Sequence, residues 1–228
     1  MKTISQFTLL SLAGIYSKSF DQLVQQADSS LSSNVPSELR ALTGASMGLL
    51  NNYGCWCHFE DNVGKGKGHP VDVLDRMCQQ LHQGYECIEM DMDDLGSPCN
   101  PWTEPYVEVA GFNLSEQDVV IQCETNNPIG SCAAQACKVE GWFVQSYLAF
   151  VLQGGAIDGS KRHDNGFDMN IECPVSNGVK SDKQCCGVYP SRFTFKNYSG
   201  ARECCGTATY NTLMFSCCSD LTIRAQCP

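Results

Sequence analysis

Apolar positions step by three or four residues from Val71 through Leu74, Cys78, Leu81, Tyr85 and Ile88. That spacing lines one face of a helix. A second stripe begins near Cys132 and runs through Phe143, Tyr147 and Phe150 to Gly154-Gly155, where a helix should stop. Trp142 and Phe143 read as packing residues of that helix rather than a membrane-facing pair. Between the stripes, Asp91 to Pro105 is acidic, then rich in Pro, Gly and Asn, and reads as loop. Asp158 to Asp168 is a polar linker, and Asp28 to Ser37 a Ser-rich loop before a short helix through Leu39, Leu42 and Leu49-Leu50. After Cys173 the texture changes. Runs of β-formers (Tyr189, Phe193 to Phe195, then Thr207 to Tyr210 and Leu213 to Phe215) alternate with Cys185-Cys186, Cys204-Cys205 and Cys217-Cys218. Short strands are expected there, with Tyr210-Asn211 in a hairpin or compact loop.

Sixteen cysteines in 228 residues change the picture most. Their number is even, and their spacings do not repeat a zinc-binding CxxC pattern. Cysteines at this density persist as disulfides in an oxidising compartment, so a secreted, extracellular protein is expected. The N-terminus agrees: Lys2 precedes a short apolar run from Phe7 to Tyr16, read as the core of a signal peptide over residues 1–19. That run is too short to span a bilayer, and no other stretch qualifies as a transmembrane segment. Asn113 and Asn197 open glycosylation sequons.

The charge is −10, from 25 acidic and 15 basic residues, which counts against nucleic acid as a partner. Asp91-Met92-Asp93-Asp94-Leu95-Gly96 opens like an EF-hand loop, but Leu95 and Trp102 stand where oxygen ligands belong. No cofactor is expected, although weak calcium binding by Glu60, Asp61 or Asp91 to Asp94 stays open. His163-Asp164 lies in the polar linker without a helical stripe around it and reads as solvated loop.

Three segments taken together resemble secreted phospholipase A2 over roughly residues 45 to 155. Asn52-Tyr53-Gly54-Cys55-Trp56-Cys57 resembles the entry to its calcium loop, and Pro70 to Arg76 the start of its first catalytic helix. Cys123, Asn126-Asn127, Cys132 and Cys137 resemble the start of the partner helix. The resemblance implies an antiparallel helix pair in which a His-Asp dipeptide supplies the general base and a calcium carboxylate. Aligned without a gap, Asp75, Arg76, Cys78 and Tyr85 match, while Leu81 falls at the base and His82 at the carboxylate. Glu140 falls at the carboxylate that would orient the base, a relic on this reading. Met77 and Gly84 replace two family cysteines, and Val139 and Ser146 replace their partners, so both bridges are lost whole. The resemblance pairs Cys57 with Cys78, Cys99 with Cys132 and Cys123 with Cys137, leaving Cys55 and Cys87 unassigned, with the tail one destination for either. A gapped register would make His82 the base, followed by Gln83 instead of a carboxylate. In either register His58-Phe59-Glu60-Asp61 replace the glycines that would close on calcium.

Cys204-Cys205-Gly206 to Asn211, with Cys217-Cys218, resembles the dicysteine repeats of galaxin-like matrix proteins. Adjacent cysteines rarely bond each other, so each should reach a different loop. The expected fold is α+β and disulfide-rich: segment 20–48, a phospholipase A2-like domain over 49–157, a linker over 158–172 and a β-rich dicysteine module over 173–228. The expected function is a non-catalytic extracellular structural or assembly protein that partners other extracellular proteins or itself, as an oligomer or filament. The alternatives are a binding protein for a receptor, lipid or calcium and, behind it, an active calcium-dependent phospholipase A2.

Overall fold

A computed structural model describes residues 50–59, 66–106, 109–113, 118–175 and 181–227. The signal-peptide and N-terminal helix expectations, Glu60, Asp61 and two residues of the first sequon, Leu114 and Ser115, lie outside the described residues. The fold is α+β and disulfide-rich.

Helix α1 spans Val73–Asp94. Asp72 caps it by accepting the Asp75 N–H at 3.0 Å, which satisfies one of the donors a helix start leaves open. The helix runs through Asp91 to Asp94, which corrects the expected loop at those positions. It stops only where Gly96 adopts φ +69°, and the Ser97 N–H then closes on the Met92 carbonyl at 2.9 Å. Helix α2 spans Cys132–Leu152, capped by the Ser131 hydroxyl and followed by Gly154 at φ +82°. Its end agrees with the glycine pair in the sequence.

The two helices pack antiparallel. Tyr85 bonds Glu140 midway along them, and Cys99, just beyond α1, is bonded to Cys132 at the start of α2. Leu74, Cys78, Leu81, Tyr85 and Ile88 meet Ala136, Val139, Phe143, Val144 and Tyr147 in one buried core. Gly84 faces Val139 so closely that a Cβ there would lie 2.8 Å from the valine methyl. Only glycine lets the helices approach to that distance. A short hairpin, β1 (Val109–Asn113) with β2 (Asp118–Gln122), leads into α2.

The segment read as a linker forms two 3₁₀ turns, Gly159–Lys161 and His163–Asn165, then the short helix α3, Met169–Glu172. Three antiparallel hairpins complete the chain: β3 (Lys183–Cys186) with β4 (Phe193–Lys196), β5 (Arg202–Cys205) with β6 (Ala208–Asn211), and β7 (Ser216–Cys217) with β8 (Ile223–Arg224). Tyr210 and Asn211 therefore lie in a strand, and the turn falls at Gly206-Thr207.

All sixteen cysteines are paired. In the tail the bonds run as a stair: Cys186 to Cys204, Cys205 to Cys217, and Cys218 to Cys227. Cys185, the first cysteine of the first pair, bonds Cys87 on α1 instead. The stair is thereby bolted to the helix. Polar contacts seat the same hairpin. The Arg192 guanidinium forks onto both oxygens of Asp91 at 2.8 Å each, and the Tyr189 hydroxyl donates to Asp91 at 2.9 Å.

A two-pronged, half-buried Arg–carboxylate pair is stronger than an ordinary surface ion pair. Arg192→Ala should therefore destabilise the seating of the first hairpin by about 1–2 kcal/mol. Hydrogen exchange should quicken in β3 and β4 while the α1–α2 core stays protected.

Candidate functional site

The entry loop to the helix pair is organised by one carboxylate. Asp75, fully buried on the first turn of α1, accepts the backbone N–H groups of Trp56 at 2.7 Å, Val71 at 2.9 Å and Cys55 at 3.0 Å. Burial pushes its carboxyl above the usual range against the pull of those three donors. The loop can lie this close because Gly54 has φ +59° and no Cβ; one would fall 2.6 Å from the Asp75 carboxyl carbon. The Cys57–Cys78 bond fixes the same loop to the same helix.

A second strap comes from the segment over 158–173. The Gly54 N–H bonds the Lys161 carbonyl at 2.9 Å, and the His163 N–H bonds that of Asn52 at 3.0 Å. The His163 Nε2–H donates to the Gly54 carbonyl at 2.8 Å, which fixes its tautomer, and its ring stacks on Phe167 at 5.7 Å. His163 is thus half-buried and engaged, which corrects the expected solvated loop; Asp164 is exposed and pairs with Arg162. Cys55 is bonded to Cys173. The Lys161 ammonium meets Asp72 at 2.9 Å, and the Tyr53 hydroxyl donates to the same carboxylate. Burial pushes Asp72 up, but the Asp75 N–H, the Tyr53 hydroxyl and Lys161 together hold it below its usual range.

Leu81 and His82, consecutive on α1, are each 0% exposed. The His82 ring lies 6.3 Å from that of Trp56 and stacks on Trp102 at 6.4 Å, with planes 13° apart. Tyr85 meets the edge of Trp102 at 5.3 Å. The Trp56 indole is held by its N–H to the Gly68 carbonyl at 3.2 Å. Burial depresses the His82 pKa, opposed by backbone groups of Trp56 and His58 and by the charge of Glu86. The position therefore holds a neutral imidazole between two indoles. Leu81 offers no proton acceptor.

Glu140, on α2, is buried and accepts the hydroxyls of Tyr85 at 2.7 Å and Tyr106 at 2.5 Å. Tyr106 and Trp102 are site residues that the sequence reading missed; Trp102 sits in the segment read as loop and Tyr106 just after it, where no periodicity marks them. Cys99 and Cys132 are bonded, as are Cys123 and Cys137. Met77 packs against the core, and Ser146 is half-buried on α2. Asn113 ends β1 opposite Asp118, and Asn197 receives the Gly200 N–H in a turn beside β4. Among the described residues, no three His, Cys, Asp or Glu side chains are grouped to hold a metal ion, and no helix is long and apolar enough to cross a membrane.

Asp75→Asn puts an amide N–H₂ where three backbone donors converge, leaving at least one of them unsatisfied. It should cost about 2 kcal/mol in chemical denaturation. The depressed His82 pKa sets a pH dependence. Between the ordinary histidine value of 6.5 and the lower folded value, the unfolded chain binds a proton that the folded chain refuses. Stability should fall as pH drops through that window. Paired melts at pH 7.5 and 5.5 should show a smaller loss for His82→Gln than for the wild type.

No protein-family profile matches the chain. Over 91 residues, 40% of its length, it is 31% identical to acidic phospholipase A2 PL-I of Walterinnesia aegyptia and to phospholipases A2 of Ovis aries and Bos taurus. Those matches span 53%, 63% and 54% of the respective relatives, so the chain covers about half to three fifths of their length. The chain is similar to phospholipase A2 at a distance, over part of each protein.

Proposed function

We propose that this chain is a secreted, non-catalytic extracellular protein that uses a phospholipase A2-like helix pair as a rigid support and works through its surfaces. One observation carries the reading. The two consecutive positions that the resemblance assigns to the general base and the calcium carboxylate are Leu81 and His82, both sealed from solvent, with Trp56 and Trp102 flanking the histidine ring. Leucine cannot take a proton from water, and an enclosed neutral imidazole does not supply the anionic oxygen that calcium requires. Glu140 serves here as a joint between two tyrosine hydroxyls.

The favoured role is structural or assembly-forming, as part of a matrix or filament. Eight disulfides within 228 residues give rigidity in an oxidising setting, and the tail's stair of paired cysteines resembles galaxin-like repeats. The names of its relatives favour a second reading, calcium-dependent hydrolysis of phospholipids, with His82 as base in a gapped register.

Hydrolysis of mixed phospholipid vesicles by the oxidised protein separates the two, with a known secreted phospholipase as control. The expected result is no turnover with calcium present. Turnover that EDTA abolishes would overturn the non-catalytic reading and restore His82 as the base.

A further inference from the structure

The first hairpin of the tail demonstrates what such a hairpin grips. Lys183, two residues before Cys185, places its ammonium 2.7 Å from one oxygen of Glu86 on α1. Thr194, directly across the ladder from Cys185, donates its hydroxyl to the other oxygen at 3.0 Å. Cation and hydroxyl together clamp a single helix carboxylate. The second hairpin repeats the arrangement in sequence and register. Arg202 lies two residues before Cys204, and Thr209 lies directly across from Cys204. The Arg202 Nε–H donates to the Thr209 hydroxyl oxygen at 2.8 Å, so the two converge and the hydroxyl keeps its proton to give. Arg202 is exposed, and none of the described carboxylates forms an ion pair with it. The clamp is built and faces water.

Beside it sits apolar surface. Asn211 pairs with Arg202 across the strands, and its side chain receives the Leu213 N–H at 2.9 Å. Leu213 and Met214 are 84% and 64% exposed. The clamp and the apolar tip are therefore neighbours at one end of the second hairpin.

A complementary surface lies at the far end of α1. A cleft of about 390 Å³ there is lined by Ile88, Met92, Asp94 and Leu95, with Tyr189 and the Asp91-paired Arg192 of the first hairpin also in its wall. Asp93 and Asp94 are exposed, Leu95 is 72% exposed, and Ile129, next to Gly130, is 81% exposed. Charge divides the same way: residues 181–228 carry five basic and three acidic side chains, and residues 1–180 carry ten and twenty-two. The tail and the helical part thus carry net charges of opposite sign, a complementarity that two copies could use.

We propose that the β5–β6 hairpin docks on a second copy of this chain, with Arg202 and Thr209 clamping Asp94 and Leu213 and Met214 entering the cleft beside it. The inference rests on the assembly reading above and names its contact. Donor and acceptor are different surfaces of one chain, so the contact is head-to-tail and propagates into a filament or closes into a ring. One clamp and two apolar side chains make a small interface, so assembly should depend on concentration and weaken as salt screens the charges.

Sedimentation velocity of the oxidised full chain tests this across a concentration series at low and high salt. The wild type should self-associate, less so at high salt. Arg202→Glu and Asp94→Lys should each weaken association by about tenfold or more, since each sets like charges face to face. Both sites are exposed, and a lysine at the end of α1 suits the helix dipole, so unchanged thermal melts should accompany the loss. An equimolar mixture of the two variants should associate again. In the mixture the introduced glutamate of one variant faces the introduced lysine of the other, and the retained Arg202 faces the retained Asp94. A monomeric wild type at every concentration would overturn this contact and self-assembly together, leaving assembly with other extracellular proteins as the form of the reading that stands. Association that neither variant changes, or that the mixture fails to restore, would overturn this contact and leave the assembly reading in place.

Discussion

Cys55 and Cys87 carry the longest covalent spans in the molecule, to Cys173 and Cys185, closing separations of 118 and 98 residues. Cross-links of that length remove the most conformational freedom from the unfolded chain, each contributing about 4–5 kcal/mol in the chain-entropy account. Their placement matters as much as their number. The first ties the entry loop to the strap that follows α2, and the second ties the middle of α1 to the first tail hairpin. The helix pair, its entry loop and the tail thus form one cross-linked body. Asp91 and Glu86 on α1 then add ionic seats for the hairpin that Cys87 already anchors.

Within that body the entry loop is tied to α1 by buried polar contacts. Asp75 gathers three backbone donors, Gly54 permits the close approach, and Glu140 joins two tyrosines. These interactions depend on backbone geometry and burial, so they hold whether or not a reaction takes place beside them. What stands at their centre is apolar and closed: Leu81, then a neutral His82 between indoles.

The tail follows a different logic. Its strands are two to four residues long and paired only two at a time, too little for an independent hydrophobic core. Bonds between successive cysteine pairs do the work that burial cannot. Much of the side-chain surface is left facing outward as a result, which leaves Leu213, Met214 and Arg202 available for contacts with other molecules.

The sequence by itself determined the two long helices, their buried faces and the strands at Phe193 to Phe195 and around Thr209-Tyr210, because periodicity and β-former runs are local signals that burial enforces. Leu213 to Phe215, also read as β-formers, lie instead in the turn before β7, and the cysteine pairs themselves enter the strands. The sequence also indicated that adjacent cysteines would reach different partners. It placed the end of α1 too early, since an acidic run looks like loop until Arg192 and Tyr189 arrive from about a hundred residues away to hold Asp91. It read the segment over 158–168 as a polar linker, because nothing local reveals that His163 and Lys161 answer carbonyl, amide and carboxylate groups at 52, 54 and 72. The partners of Cys55 and Cys87, and the enclosure of His82 by Trp56 and Trp102, were decided by tertiary structure alone. Each depends on distant segments converging in space, and pattern along a chain carries no record of that distance.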